Sequence, residues 1–107
     1  MAELFHEDAV MERPQAGERI GGENRRGVYH AFATLPTITP RRMTGDDDLV
    51  VAEAALRDGD GAVFQTVFIF ELRDGNIAKE TAYWSQPLPA PEWRARWVER
   101  MDPPPGA

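Results

Sequence analysis

The chain has 107 residues, 42% of them hydrophobic and 28% charged, no cysteine and a net charge of −6. That is a single globular domain with one core, too short for two domains and too apolar for a disordered chain. The acidic excess repels phosphate backbones and anionic lipid, which excludes nucleic acid and membrane as expected partners, and the missing thiols exclude disulfides, thiolate zinc sites and a cysteine nucleophile.

In chain order, residues 2–8 are expected to end a helix, with Leu4 and Phe5 apolar, ahead of a short strand at 9–11 that Pro14 stops. The run QAGERIGG at 15–22 has loop composition. Gly22 then caps a helix that carries Glu23 in its first turn and runs to Thr34. Val28, Ala31, Phe32 and Leu35 recur at i, i+3, i+4 and i+7 as its buried stripe, with His30 nearly opposite. Pro36 and Pro40 bracket the next connection.

Strands are expected at 38–44, 49–57, 62–72 and 76–84, separated by the acidic turn GDDD, by DGDG at 58–61 and by Arg73-Asp74-Gly75. Pro87, Pro89 and Pro91 end the sheet. Residues 92–101 then suggest a helix with Trp93 and Trp97 on one face, as lid or core packing, and residues 102–107 a flexible proline-rich tail behind one domain spanning 1–101. This order defines an α+β fold with helices on one face of a curved antiparallel sheet. No apolar stretch is long enough for a signal or a span, so the expected location is the cytoplasm.

Turn lengths decide which side chains share a face, because the side-chain period in a strand is two. A three-residue turn at 73–75 pairs Phe68 with Glu80, Thr66 with Ala82 and Phe64 with Trp84, whereas a two-residue Asp-Gly turn pairs Phe68 with Thr81. With the first register and an even-numbered turn at 58–61, Glu53 stands opposite Thr66. One face then holds Phe64, Thr66, Phe68, Phe70, Ala82 and Trp84 together with Glu53 and Glu80. A carboxyl in such a low-dielectric wall has a raised pKa, which makes Glu53 and Glu80 the candidate acid–base residues; the competing reading is that each is a structural ion pair. Val67, Ile69, Lys79, Thr81 and Tyr83 fall on the opposite face. His6 and His30 lack ligand spacing and no nucleotide fingerprint occurs, so neither metal nor cofactor is expected. Arg25-Arg26 and Arg41-Arg42 read as solvated pairs.

The stretches LFHEDAVMERPQAGERIGG, FIFELRDGNIAKETAYWSQP and PEWRARWVE resemble the nuclear transport factor 2-like superfamily, which includes ketosteroid isomerases and SnoaL-like polyketide cyclases, over residues 1–98. The resemblance implies a cone-shaped α+β barrel whose sheet carries helices on its concave face, with Ala82 and Trp84 facing a ligand pocket. It also implies that Arg13 occupies the position of the isomerase base, an Asp before the equivalent of Pro14, and that Phe68 occupies that of the oxyanion-hole Asp. The resemblance further implies that the partner Tyr belongs to an opening helix expected ahead of these residues, and that the cyclase Asp falls near Ala82. A guanidinium cannot serve as a base near neutral pH.

The expected function is therefore binding of a small apolar molecule of polyketide or steroid type. The wall consists of Phe64, Phe68, Phe70, Ala82 and Trp84, with Arg13, Glu53, Thr66 and Glu80 orienting the ligand. The alternatives are a cyclase, isomerase or dehydratase that uses Glu53 or Glu80 with Arg13 on an enolate, and a dimeric protein-interaction module. The superfamily also implies a homodimer through the opposite sheet face, and a further opening helix of about 20 residues, an ordinary helix length, supplied upstream or replaced by a dimer mate.

Overall fold

Apolar, β-branched and aromatic runs separated by tight turns build one six-stranded sheet. A computed structural model describes residues 4–31 and 36–102, apart from the side chains of Tyr29 and His30. The elements are β1 Phe5–Arg13, β2 Glu18–Gly21, α1 Asn24–Ala31, β3 Thr37–Gly45, β4 Leu49–Arg57, β5 Val63–Arg73, β6 Asn76–Ser85 and a 3-10 helix at Glu92–Trp97. Strand order is β2-β1-β6-β5-β4-β3. β1 runs parallel to β6 and every other pair is antiparallel, so the curved sheet is mixed.

The first elements differ from expectation. Residues from Phe5 onward form strand rather than helix, because Phe5, Ala9 and Met11, all buried, lie at even separations and only a period of two puts them on one side. Half of the expected loop at 15–22 is β2, Glu18–Gly21, which returns along β1 from Glu18 opposite Arg13 to Gly21 opposite Val10. Helix α1 starts after Glu23; Val28 is half-buried and Ala31 exposed, while Phe32 and Leu35 lie outside the described residues, as does the tail beyond residue 102. Pro40 lies inside β3 opposite Ala54, which an edge strand tolerates because its free side needs no ladder donor.

Two turns set the faces. Asp74 and Gly75, at φ 54° and 83°, form a two-residue hairpin turn, and a bulge at Ala78 then adds one residue to β6. The turn is one residue shorter than expected. The bulge leaves Phe68 opposite Ala82, Thr66 opposite Trp84 and Phe70 opposite Glu80, so the partners move by two positions and the face is unchanged. Residues 58–62 form a five-residue connection, held by Asp58 Oδ1, which accepts from the backbone N–H of Asp60 at 2.9 Å and of Ala62 at 3.0 Å. That odd number turns Glu53 away from the aromatic face: it pairs with Val67, and Ala54 faces Thr66.

The β3–β4 turn is tight. Asp46 Oδ1 accepts from the N–H groups of Asp48 and Leu49, which holds its carboxyl below the usual carboxylate range. A Cβ at Gly45 would stand 2.1 Å from the Leu49 carbonyl oxygen, at φ 155°. Gly45→Ala is therefore expected to destabilise the fold by about 3 kcal/mol, the upper end of ordinary overpacking costs, as a lower urea midpoint with an unchanged m-value.

The core lies on one side of the sheet. Ala54, Leu56, Phe68 and Ala82 form one buried cluster flanked by Phe64 and Trp84; Phe5, Ala9 and Ile77 form a second, and Phe70 packs against both. The segment after β6 leaves the body instead of packing back. Residues 92–97 are a 3-10 helix rather than an α-helix to 101, and Trp93 and Trp97 are 73% and 71% exposed, so neither is core packing. The radius of gyration of 15.9 Å exceeds the roughly 13 Å of a compact domain of this length.

Candidate functional site

Even positions of β5, even positions of β6 beyond the Ala78 bulge (with Ile77 before it) and odd positions of β1 project to the core side, here called the inner face. There Phe64, Thr66, Phe68 and Phe70 meet Glu80, Ala82 and Trp84, with Met11 and Arg13 alongside. Phe68 and Phe70 stack with ring centroids 6.1 Å apart, and Phe64 tilts against Trp84 at 5.9 Å. Thr66 is buried and its hydroxyl donates to the Ala54 carbonyl at 2.9 Å, so its proton is committed to the neighbouring strand.

Glu80 is the buried carboxylate of this wall, with 5% of its surface exposed. Arg13 Nη1 donates to its Oε2 at 3.1 Å, and the same guanidinium lies 5.7 Å from the Trp84 ring centroid. Burial pushes the Glu80 carboxyl above the usual range, and the charges of Arg13 and Arg25 oppose this without cancelling it. Arg13 and Glu80 thus come together as two of the residues singled out in the sequence, joined by a bond between elements far apart in the chain.

Glu53 is not part of this site. It lies on the outer face in an ion pair with Arg42, beside a shallow cleft of about 240 Å3 where Gln15, Arg41, Gln65, Tyr83 and Ser85 also meet. That face carries most of the other ion pairs as well: Glu12 joins Arg19 at 2.8 Å and Lys79 at 3.0 Å, which lowers its carboxyl and raises the Lys79 ammonium. Val67, Ile69, Thr81 and Tyr83 share this side, the last 41% exposed.

Sequence reasoning missed Arg25, which is not solvated but 3% exposed, with its guanidinium carbon 4.6 Å from the Phe5 ring centroid. The signal was present, since Arg25 stands three residues before Val28 and extends the helix's inner stripe by one turn. Its Nε–H, and the Nε1–H of Trp84, are buried without an acceptor among the described residues. Among the described residues no three His, Asp or Glu gather as a metal site, and no helix is long and apolar enough to cross a membrane.

A curved sheet with one helix beside its aromatic inner face, and a buried carboxylate in that face, defines the cone-shaped class of α+β domains. Residues 1–80 match the SnoaL-like domain, and the chain belongs to this family of nuclear transport factor 2-like folds. An NTF-2-like protein of unknown function from Burkholderia xenovorans LB400 is similar at 33% identity and a TM-score of 0.79, over 94% of this chain and 79% of that one. A putative ketosteroid isomerase from Kribbella flavida DSM 17836 is similar at 27% identity and a TM-score of 0.84, over 95% of this chain and 76% of that one. An LEH-like epoxide hydrolase from M. tuberculosis shares the fold, at 24% identity and a TM-score of 0.61 over 78% of this chain and 66% of that one. No curated protein matches the chain.

Proposed function

We propose that this SnoaL-like domain binds a small apolar molecule on the inner face of its sheet, in the cytoplasm and as a homodimer. The observation that carries the reading is the Arg13–Glu80 pair set into a wall of Phe64, Phe68, Phe70, Ala82 and Trp84. A few fixed polar groups in an otherwise apolar concave face are the usual makeup of a small-molecule site. The partly apolar outer face around Val67, Ile69 and Tyr83, and the exposed Trp93 and Trp97, support association with a second copy. A steroid or polyketide-sized hydrophobic ligand is expected to raise the melting temperature and to displace a fluorescent apolar probe, and Phe68→Asp to abolish both effects. A ligand panel that does neither refutes the reading, and a strictly monomeric protein in light scattering refutes the dimer.

The second reading is an isomerase or dehydratase in which Glu80 moves a proton α to a carbonyl and Arg13 steadies the enolate oxygen. The raised Glu80 carboxyl favours it, as does the name of the Kribbella neighbour. Against it stands the Arg13–Glu80 bond, which already occupies both groups. Turnover of a hydroxy-enone panel that disappears in Glu80→Gln would establish this reading; no turnover by the unmodified protein leaves binding alone.

A further inference from the structure

Resting on the binding reading above, we infer that the ligand of the inner face carries an anionic oxygen group, a carboxylate or its chemical equivalent, and that Arg25 recognises it. Three observations lead there. First, Arg25 is buried to 3% exposure and fixed over the Phe5 ring, yet among the described residues its Nε–H has no acceptor. A buried donor without a partner costs about 1–3 kcal/mol, a cost that an incoming acceptor removes. Second, the charges do not balance. Among the described residues Arg13 and Arg25 act on one carboxylate, Glu80, which is bonded to Arg13, so these groups leave one positive charge uncompensated. Third, both orphaned side-chain atoms, Arg25 Nε and Trp84 Nε1, are donors. A ligand that completes this face must bring acceptors, and an anionic oxygen at Arg25 supplies one and meets the surplus charge as well.

The position also fits an amphiphile. Arg25 stands at the Phe5 end of the face, and Phe70 packs against both the Phe5 cluster and the Phe68 cluster, which makes a continuous apolar path from the guanidinium to the aromatic wall. An apolar body lies along Phe70 and Phe68 with its anionic end at Arg25. The planar guanidinium presents a fork that a carboxylate engages and that an ammonium does not match.

The test uses two probes with the same aromatic body on the full chain: anilinonaphthalene sulfonate, which is anionic, and phenylnaphthylamine, which lacks the sulfonate. The unmodified protein is expected to bind the sulfonate about tenfold more tightly, the low end of a charge-assisted hydrogen bond. Arg25→Met is expected to erase that preference while leaving the neutral probe's affinity within about twofold, as is Arg25→Gln, which keeps a neutral donor over Phe5. Equal binding of both probes by the unmodified protein overturns the anion inference and leaves the apolar-site reading standing. A preference that survives in a folded Arg25 variant, checked by circular dichroism, overturns the role of Arg25. Failure of both probes to bind overturns the inference and the binding reading together. The comparison on the unmodified protein needs no variant, so a misfolded Arg25 substitution does not protect the inference.

Discussion

Replacing Leu56 by alanine is expected to cost about 3 kcal/mol of stability and to lower the melting temperature by roughly 12 °C, taking about 4 °C per kcal/mol for a chain of this size. Leu56 is 2% exposed and, with Met11, is one of the two largest fully buried side chains. Its cluster is otherwise rich in alanine, with Ala52, Ala54 and Ala82 around it, so leucine supplies volume that its neighbours cannot. Small side chains have no rotamers with which to close a void, and the strands are held in register by their ladders on both sides of β4. The cavity therefore persists, which puts the cost within the range for buried leucines rather than at the bare transfer value. Leu88→Ala is the control, at 82% exposure, and is expected to change stability by less than about 0.5 kcal/mol. Leu56 also faces Phe64 across the β4–β5 ladder, so the truncation loosens one end of the aromatic wall. Affinity for an apolar probe is expected to fall alongside stability.

Strands β3 to β6 were legible because their apolar, β-branched and aromatic runs are bounded by acidic or Asp-Gly turn signals, whereas β2 was expected as loop and the start of β1 as helix. The site was legible only in part, and parity is the reason. Composition does not state how many residues a turn contains, and each odd or even count assigns a whole strand to one face or the other. At 73–75 a shorter turn and the Ala78 bulge compensate, so Glu80, Ala82 and Trp84 stay with Phe64, Phe68 and Phe70. At 58–62 nothing compensates, and Glu53 changes sides. Arg25 escaped notice for a different reason: adjacent arginines suggest a solvated surface, and only the phase of the helix separates the buried one from the exposed Arg26. The β1–β6 pairing was invisible because parallel neighbours lie far apart in sequence and share no turn.

Arg13→Met is expected to destabilise the protein by about 3 kcal/mol at neutral pH, the low end for stripping a buried carboxylate of its partner, and by much less in acid. Methionine keeps an apolar stem beside Trp84 and removes the charge, so the variant isolates the ion pair rather than the packing. The pH dependence follows from Glu80. Burial already raises its carboxyl above the value of 4.5 that serves for the unfolded chain, and losing Arg13 removes the largest influence holding it down. When the folded pKa exceeds the unfolded one, the native state binds more protons between the two values, so stability falls as pH rises through that window. The favourable contribution of the protonated form is complete below the unfolded value and is lost as Glu80 ionises inside the wall. The gap between Arg13→Met and the unmodified protein should therefore be small below pH 4.5 and widen with rising pH to a plateau above the raised Glu80 pKa. Adding Glu80→Gln to Arg13→Met removes the ionisable group and is expected to restore most of the neutral-pH stability and to abolish the part of the pH dependence that Glu80 contributes. Urea titrations from acid to neutral pH distinguish the outcomes: a deficit that is the same at every pH would show that Arg13 acts through packing, and the Arg13–Glu80 pair would then hold no charge that matters to the inner face.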